Sequence, residues 1–208
     1  AYEETDVPPE VQPQFDRYYA ELIETIASTD DTLLERYLDG GEIGRDEAIR
    51  AMKDAMKRME LFPLFCVSST HNYGTRAVLS TIVELMPNAF EMEEIHAFVG
   101  AEGDHTVEIH ANDEAPFAAL VFKTQSEPHV GDVSIFRVLS GSVRSGDEVF
   151  NATRDGGEKL NHLAVTLGKD RVEVPRLHAG DIGCVAKLRN THTNDTLSTR
   201  SHPVRLPQ

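Results

Sequence analysis

The 208 residues predict an α+β chain in two parts: a helical and partial α/β segment over 1–89, then an antiparallel β domain over 90–208. Three observations carry that reading. Apolar residues recur at helical spacing up to about Met59. A compact apolar run from Leu61 to Ser69 then interrupts them. From about Phe90 onward, apolar and polar residues alternate between turn signals.

Taken in order, the first helix has Pro13 in its first turn, and Phe15, Tyr18, Tyr19, Leu22, Ile23 and Ile26 follow at helical spacing. The second has Thr29 or Asp30 as N-cap, Leu33, Leu34, Tyr37 and Leu38 as its apolar stripe, and Gly40-Gly41 as its stop. The third begins near Asp46, with Ile49, Met52, Met56 and Met59 on one face; a methionine stripe of this kind reads as helix core. Leu61 to Ser69 has the length and continuity of a strand buried on both faces. The polar loop Thr70 to Gly74 leads from it into a helix carrying Val78, Leu79, Ile82, Val83, Leu85 and Met86, which Pro87 ends. In open α/β sheets ligands bind beyond the carboxyl ends of strands, so Ser68 to Asn72 is where a ligand-facing loop belongs.

The linker is read at Asn88 to Glu94, and the β part follows. Alternation runs through Val133, Ile135, Arg137 and Leu139, through Leu163, Val165 and Leu167, and through Ile182, Cys184, Ala186 and Leu188. Turns at Ser140-Gly141, Ser145-Gly146, Asp155 to Gly157 and Ala179 to Asp181 separate the runs at roughly 8 to 12 residues or a little more, which by itself favours a closed barrel over a two-sheet sandwich only by a narrow margin.

The net charge of −15 argues against a polyanionic partner at first sight. Its distribution is uneven. Residues 1–120 hold 25 acidic and 8 basic side chains, whereas 121–208 hold 10 and 12, so only the second half offers a neutral-to-basic face. Cys66 and Cys184 both sit in apolar surroundings that suit buried, reduced thiols, which fits a cytoplasmic location. No apolar run approaches the roughly 20 residues of a membrane span, and the first residues show no export signal.

The stretch PFAALVFKTQSEPHVGDVSIFRVLSGSVRSGDEVFN, Pro116 to Asn151, resembles the second-domain barrel of elongation factor G. The resemblance runs upstream to about Glu10 and downstream to about Thr196, with Val130-Gly131, Phe136 to Gly141, Ser145-Gly146 and Ala179 to Gly183 on framework positions. It settles the β part as a barrel. It implies that 1–89 is the end of a GTPase domain with its helical insertion, marked by Tyr19 to Leu22, Glu35 to Gly40 and the helix from Ala48 to Lys57. The phosphate-cradling loop, the metal-binding acidic residue and the guanine-reading Asn-Lys-x-Asp of that family do not occur, so the chain reads as a piece of a GTPase: not an enzyme itself, without cofactor, GTP and Mg²⁺ belonging to the intact parent.

The same resemblance assigns roles. Ser68 and Ser69 fall on the Ser-Ala pair of the last nucleotide loop, where a backbone N–H reaches the guanine carbonyl, although Ser69 stands in place of Ala and His71 and Tyr73 in place of two lysines. The residues alone, without the resemblance, read as a polar cap on a strand-to-helix turn in preference to a ligand contact. The insertion implies ribosomal stalk proteins as a partner, and the barrel implies small-subunit ribosomal RNA, with His129 and Arg144 as candidate contacts. Neither a membrane nor DNA is expected. The parent is expected to hydrolyse GTP on the ribosome in translocation or recycling.

The alternative is a stand-alone module that binds protein or RNA through an oligonucleotide-binding-like barrel, without nucleotide chemistry. Phe122, Phe136 and Phe150 lie in otherwise apolar strand patterns, which leaves no exposed aromatic platform for it. The densest histidine set, Glu93, Glu94, His96, His105 and His110, lacks metal-ligand spacing, so no metal site is assigned. Leu61 to Ser69, an interior strand without sheet neighbours in this chain, is expected to pair with a second copy.

Overall fold

The computed structural model describes residues 6–92, 94–99 and 105–207, in two compact units, Ala1–Pro87 and Asn88–Gln208. The first contains α1 (Gln12–Ala27), α2 (Asp31–Leu38), α3 (Arg45–Lys57) and α4 (Thr75–Leu85). Local chemistry sets their ends. The Asp30 carboxylate accepts the Leu33 N–H at 3.0 Å and caps α2, and Gly40, at φ +79°, carries the chain out of it. Ile26, Ala27, Leu33, Ile43 and Ala48 form a small core.

Two expectations for this unit are corrected. The inward stripe of α3 is Ala48, Ala51, Met52 and Ala55, so of the expected face Ile49, Met52, Met56 and Met59 only Met52 packs on the small core, and small side chains let the helices approach. Met59 lies past the helix end and is 74% exposed. Leu61 to Ser69 forms no sheet: among the described residues its one pairing is an isolated bridge between Ser68 and Tyr73. Leu64 is 93% exposed, and Cys66 is exposed rather than buried. The run has strand composition, but a strand needs ladder partners for its backbone groups, and none lies beside it among the described residues.

The second unit opens with a capped helical turn, Ala89–Glu91, where the Asn88 side chain and Glu91 satisfy one another's backbone N–H groups. The strands are β1 (Ile95–Val99), β2 (His105–Ile109), β3 (Ala118–Glu127), β4 (Gly131–Ser140), β5 (Val143–Arg144), β6 (Glu148–Asn151), β7 (Gly156–Lys159), β8 (Ala164–Leu167), β9 (Asp170–Glu173), β10 (Arg176–Leu177), β11 (Ile182–Ala186) and β12 (Thr196–Ser198). Eight of them form one antiparallel sheet in the order β7-β6-β12-β3-β4-β11-β8-β9. The remaining gap is bridged by the β5–β10 ladder and by the bond from Gly146 N–H to the Leu160 carbonyl, so the sheet curls into a barrel.

Phe117, Val121, Phe136, Val138, Leu163 and Leu197 are among the residues filling the barrel. On β4 the residues that fill the barrel are Phe136 and Val138, and the alternating odd-numbered residues lie on the other face. Val133 packs into a separate cluster with Ala164 and Cys184, Leu139 packs under the β1–β2 hairpin, and Arg137 is exposed. Register shifts between Ala118 and Ala119 and between Val121 and Lys123 break the strict alternation. Cys184 is buried, which pushes its thiol pKa up.

Candidate nucleic-acid interface

Ser68 and Ser69 open the turn ahead of α4. Ser68 and Tyr73 exchange two backbone hydrogen bonds of 3.0 Å, the Ser68 hydroxyl lies 3.0 Å from His71 Nδ1, and the Thr75 hydroxyl donates to Asn72 Oδ1. Gly74 ends the turn at φ +73°, where an added Cβ would stand 3.0 Å from the Cys66 carbonyl. The Ser69 carbonyl accepts from Asn72, and the Ser69 N–H has no hydrogen bond to another described residue.

His129 sits at φ +67° in the tip between β3 and β4, beside the ion pair of Glu127 with Arg171. Arg144 lies in β5, beyond the other end of β4. The ten residues of β4 hold the two side chains apart by roughly 30 Å at about 3.3 Å per residue, so the structure does not bring them into one site.

Arg144 instead stands directly opposite Arg176 in the β5–β10 ladder. Their neighbours Val143 and Leu177 point into the core, so both arginines leave the ladder on its other face; Arg144 is exposed, whereas Arg176 is half-buried with its Nε enclosed. The Arg176 side chain donates to the Ser142 hydroxyl at 2.6 Å. Next to it, His178 Nδ1 pairs with the Asp113 carboxylate, which also accepts the Ala179 N–H at 2.9 Å. These bonds, the histidine's first, hold the Asp113 carboxyl below its ordinary range. Arg176 escaped sequence reasoning because only strand register, over 32 residues of separation, places it beside Arg144.

The expected lack of an exposed aromatic platform is also corrected. Phe136 is buried, but Phe122 is 41% and Phe98 37% exposed, and Phe150 lines a surface cavity. Packing of the β1–β2 hairpin outside the barrel leaves Phe98 in view.

On that hairpin His96 faces Glu108 in register, with Nδ1 3.8 Å from Oε1. The hydrogen bond of Glu94 to the Glu108 carboxyl raises the Glu94 pKa, because two carboxylates in contact retain a proton between them. Among the described residues no three histidine, cysteine, aspartate or glutamate side chains gather as a metal site. Glu93 lies outside the described residues. No described helix is long and apolar enough to cross a membrane.

Residues 116–200 match the family Elongation factor G domain 2. A crystal structure of a protein from Thermus thermophilus superposes with a TM-score of 0.75 at 31% identity, covering 95% of this chain. The chain spans 27% of that protein's length.

Proposed function

We propose, from a chain that is elongation factor G-like and whose residues 116–200 form that family's second domain, that it serves as the docking and relay portion of a ribosome-associated GTPase. In this reading the barrel leans on small-subunit ribosomal RNA, the helical unit meets ribosomal stalk proteins, and the parent protein hydrolyses GTP during translocation or recycling. The observation that carries it is the coincidence of the family match with the curled antiparallel barrel.

In the same reading the Ser69 N–H, which has no hydrogen bond to another described residue, makes the guanine contact in the intact parent. GTP with Mg²⁺ supplies the phosphoryl-transfer chemistry in the parent. What this chain supplies is position: a closed barrel resists bending, so a force taken up at the Arg144–Arg176 end reaches the β3–β4 tip.

Co-sedimentation with purified small ribosomal subunits tests the docking. The chain is expected in the ribosomal pellet at low salt and to leave it as salt rises, as phosphate contacts require. Equal recovery with and without subunits at low salt sinks the reading.

A further inference from the structure

The outer face of the barrel carries a cavity of about 360 Å³ walled by Phe98, Phe150, Thr153, Asp155, Pro203 and Arg205. We propose that it is a pocket for one unpaired nucleotide of a single-stranded RNA segment. The proposal rests on the reading of this barrel as RNA-facing and names the chemistry that one part of it recognises.

The aromatic walls of the cavity, and two residues beside Phe150 that are not on its wall, Gly157 and Arg200, point to a nucleotide rather than to an apolar side chain. Its aromatic walls are accessible: Phe98 is 37% exposed, and Phe150, on the outward face of β6, is half-buried. Gly157 is the cross-strand partner of Phe150 in β7 and puts no side chain beside the ring. Arg200 lies over that ring, its guanidinium carbon 4.8 Å from the centroid. Arginine planes and aromatic rings together make the surface on which bases stack, and every base offers a π-face to it.

Polar groups sit at the edge of that surface. Asp155, held at φ +53° in the β6–β7 turn, offers a carboxylate acceptor, which suits the exocyclic amino group of a base. Arg205 supplies a cation for the sugar-phosphate backbone. Its main chain is fixed by two hydrogen bonds to Phe98, of 2.7 and 2.8 Å, so aromatic wall and cation are held side by side. The Thr153 hydroxyl accepts the Thr196 N–H at 3.0 Å, which ties the turn to the barrel before any ligand arrives. The volume lies within the range of small-ligand sites, about 300–1,000 Å³.

The test is a fluorescence titration of the whole chain with a single-stranded hexaribonucleotide carrying one 2-aminopurine, whose emission falls on stacking. Saturable quenching is expected, with a dissociation constant on the order of 100 µM or tighter at moderate salt. Phe98→Ala should weaken binding about tenfold, whereas Phe98→Tyr, which keeps a ring, should bind like the parent chain. Arg205→Gln should weaken binding and reduce the salt slope by about one. Circular dichroism of each variant confirms that the barrel is intact.

Three results overturn the proposal: no saturable quenching by the parent chain, unchanged affinity in a folded Phe98→Ala chain, or equal competition by a hexamer abasic at the labelled position. Its failure is separable from that of the docking reading. A chain that co-sediments with small subunits but quenches nothing loses the pocket and keeps the docking role. A chain that binds the hexamer in a Phe98-dependent way but never co-sediments keeps the pocket and loses the role.

Discussion

Asn151 Nδ2 donates to Asp195 Oδ2 at 3.0 Å, joining the end of β6 to the turn before β12 across 44 residues of sequence. Asp195 is 1% exposed and also accepts the His192 N–H at 2.9 Å and Arg154 Nε at 3.2 Å. Beside it Glu158, 5% exposed, accepts the Arg189 and Asn190 N–H groups at 3.0 and 2.8 Å and the Thr191 hydroxyl at 2.9 Å. Two buried carboxylates thus replace a missing ladder for the segment 189–195. Asp195→Ala leaves buried donors without an acceptor and should cost about 2–4 kcal/mol. Urea unfolding of the variant checks this; a loss under about 0.5 kcal/mol would show the network to be dispensable.

Gly141 follows β4 at φ +69°, and a Cβ there would lie 2.6 Å from the Ala115 carbonyl and from the Phe117 backbone. Main chain cannot step aside as a flexible side chain can. Gly141→Ala therefore combines left-handed strain with a backbone clash and should destabilise the barrel by about 1–3 kcal/mol, whereas Gly146→Ala, at φ +94° with no atom within 4 Å, carries strain alone. Thermal melts of the two variants should rank in that order, and equal melting temperatures would contradict it.

What was legible in the sequence follows from how local its cause is. The Asp30 cap, the Gly40 exit and the end of α4 before Pro87 each depend on one or two residues, and all three stand where expected. Leu61 to Ser69 failed for the opposite reason: its composition specifies burial, but burial needs a partner that composition does not name. Which face of β4 fills the barrel could not be read from its pattern, because both faces carry apolar residues, Phe136 and Val138 on one and Val133, Ile135 and Leu139 on the other. The walls of the Phe98 cavity come from positions 98, 150 and 205, brought together only by long-range pairing, so no motif marks them.

Two carboxyls predict opposite responses to pH. The His178 and Ala179 bonds depress the Asp113 pKa, so the stabilisation they carry is present above the unfolded value of 3.8 and disappears as pH falls through the lower folded value. The Glu94 pKa is raised by Glu108, so its contribution is complete below the unfolded value of 4.5 and is lost as pH rises through the higher folded one. Carboxyl NMR titrations should show His178→Ala moving Asp113 up and Glu108→Gln moving Glu94 down. Both groups are solvent-accessible, so these are site titrations rather than determinants of global stability. Unmoved curves in either variant would refute the assigned cause.

Guanine nucleotide should bind this chain feebly and turn over not at all. In the proposed reading the Ser69 N–H would offer a single guanine contact, whereas most of the binding energy and all of the catalytic electrostatics of GTPases come from the phosphate loop and Mg²⁺. Calorimetry with GDP and Mg²⁺ is expected to give heats of dilution, and phosphate release from GTP to match a blank. A stoichiometric GDP isotherm would mean that the missing ligands have substitutes in this chain.

The apolar run after α3 should make the chain associate with itself. Phe62 is 76% and Leu64 93% exposed, and on α4 Leu79 and Val83 are 63% and 82% exposed. Surfaces of this kind are covered in stable proteins, and an extended segment with open backbone groups is a template for another strand. Light scattering coupled to size exclusion should therefore show an apparent mass that rises with loading concentration. Leu64→Lys places a charge in the middle of the run without touching the small core of Ile26, Leu33 and Ala48, and should return the chain to a monomer while leaving its helical circular dichroism unchanged. A parent chain that elutes as a monomer across a hundredfold concentration range would mean that the run is covered within the chain itself in solution, against the exposure of Phe62 and Leu64.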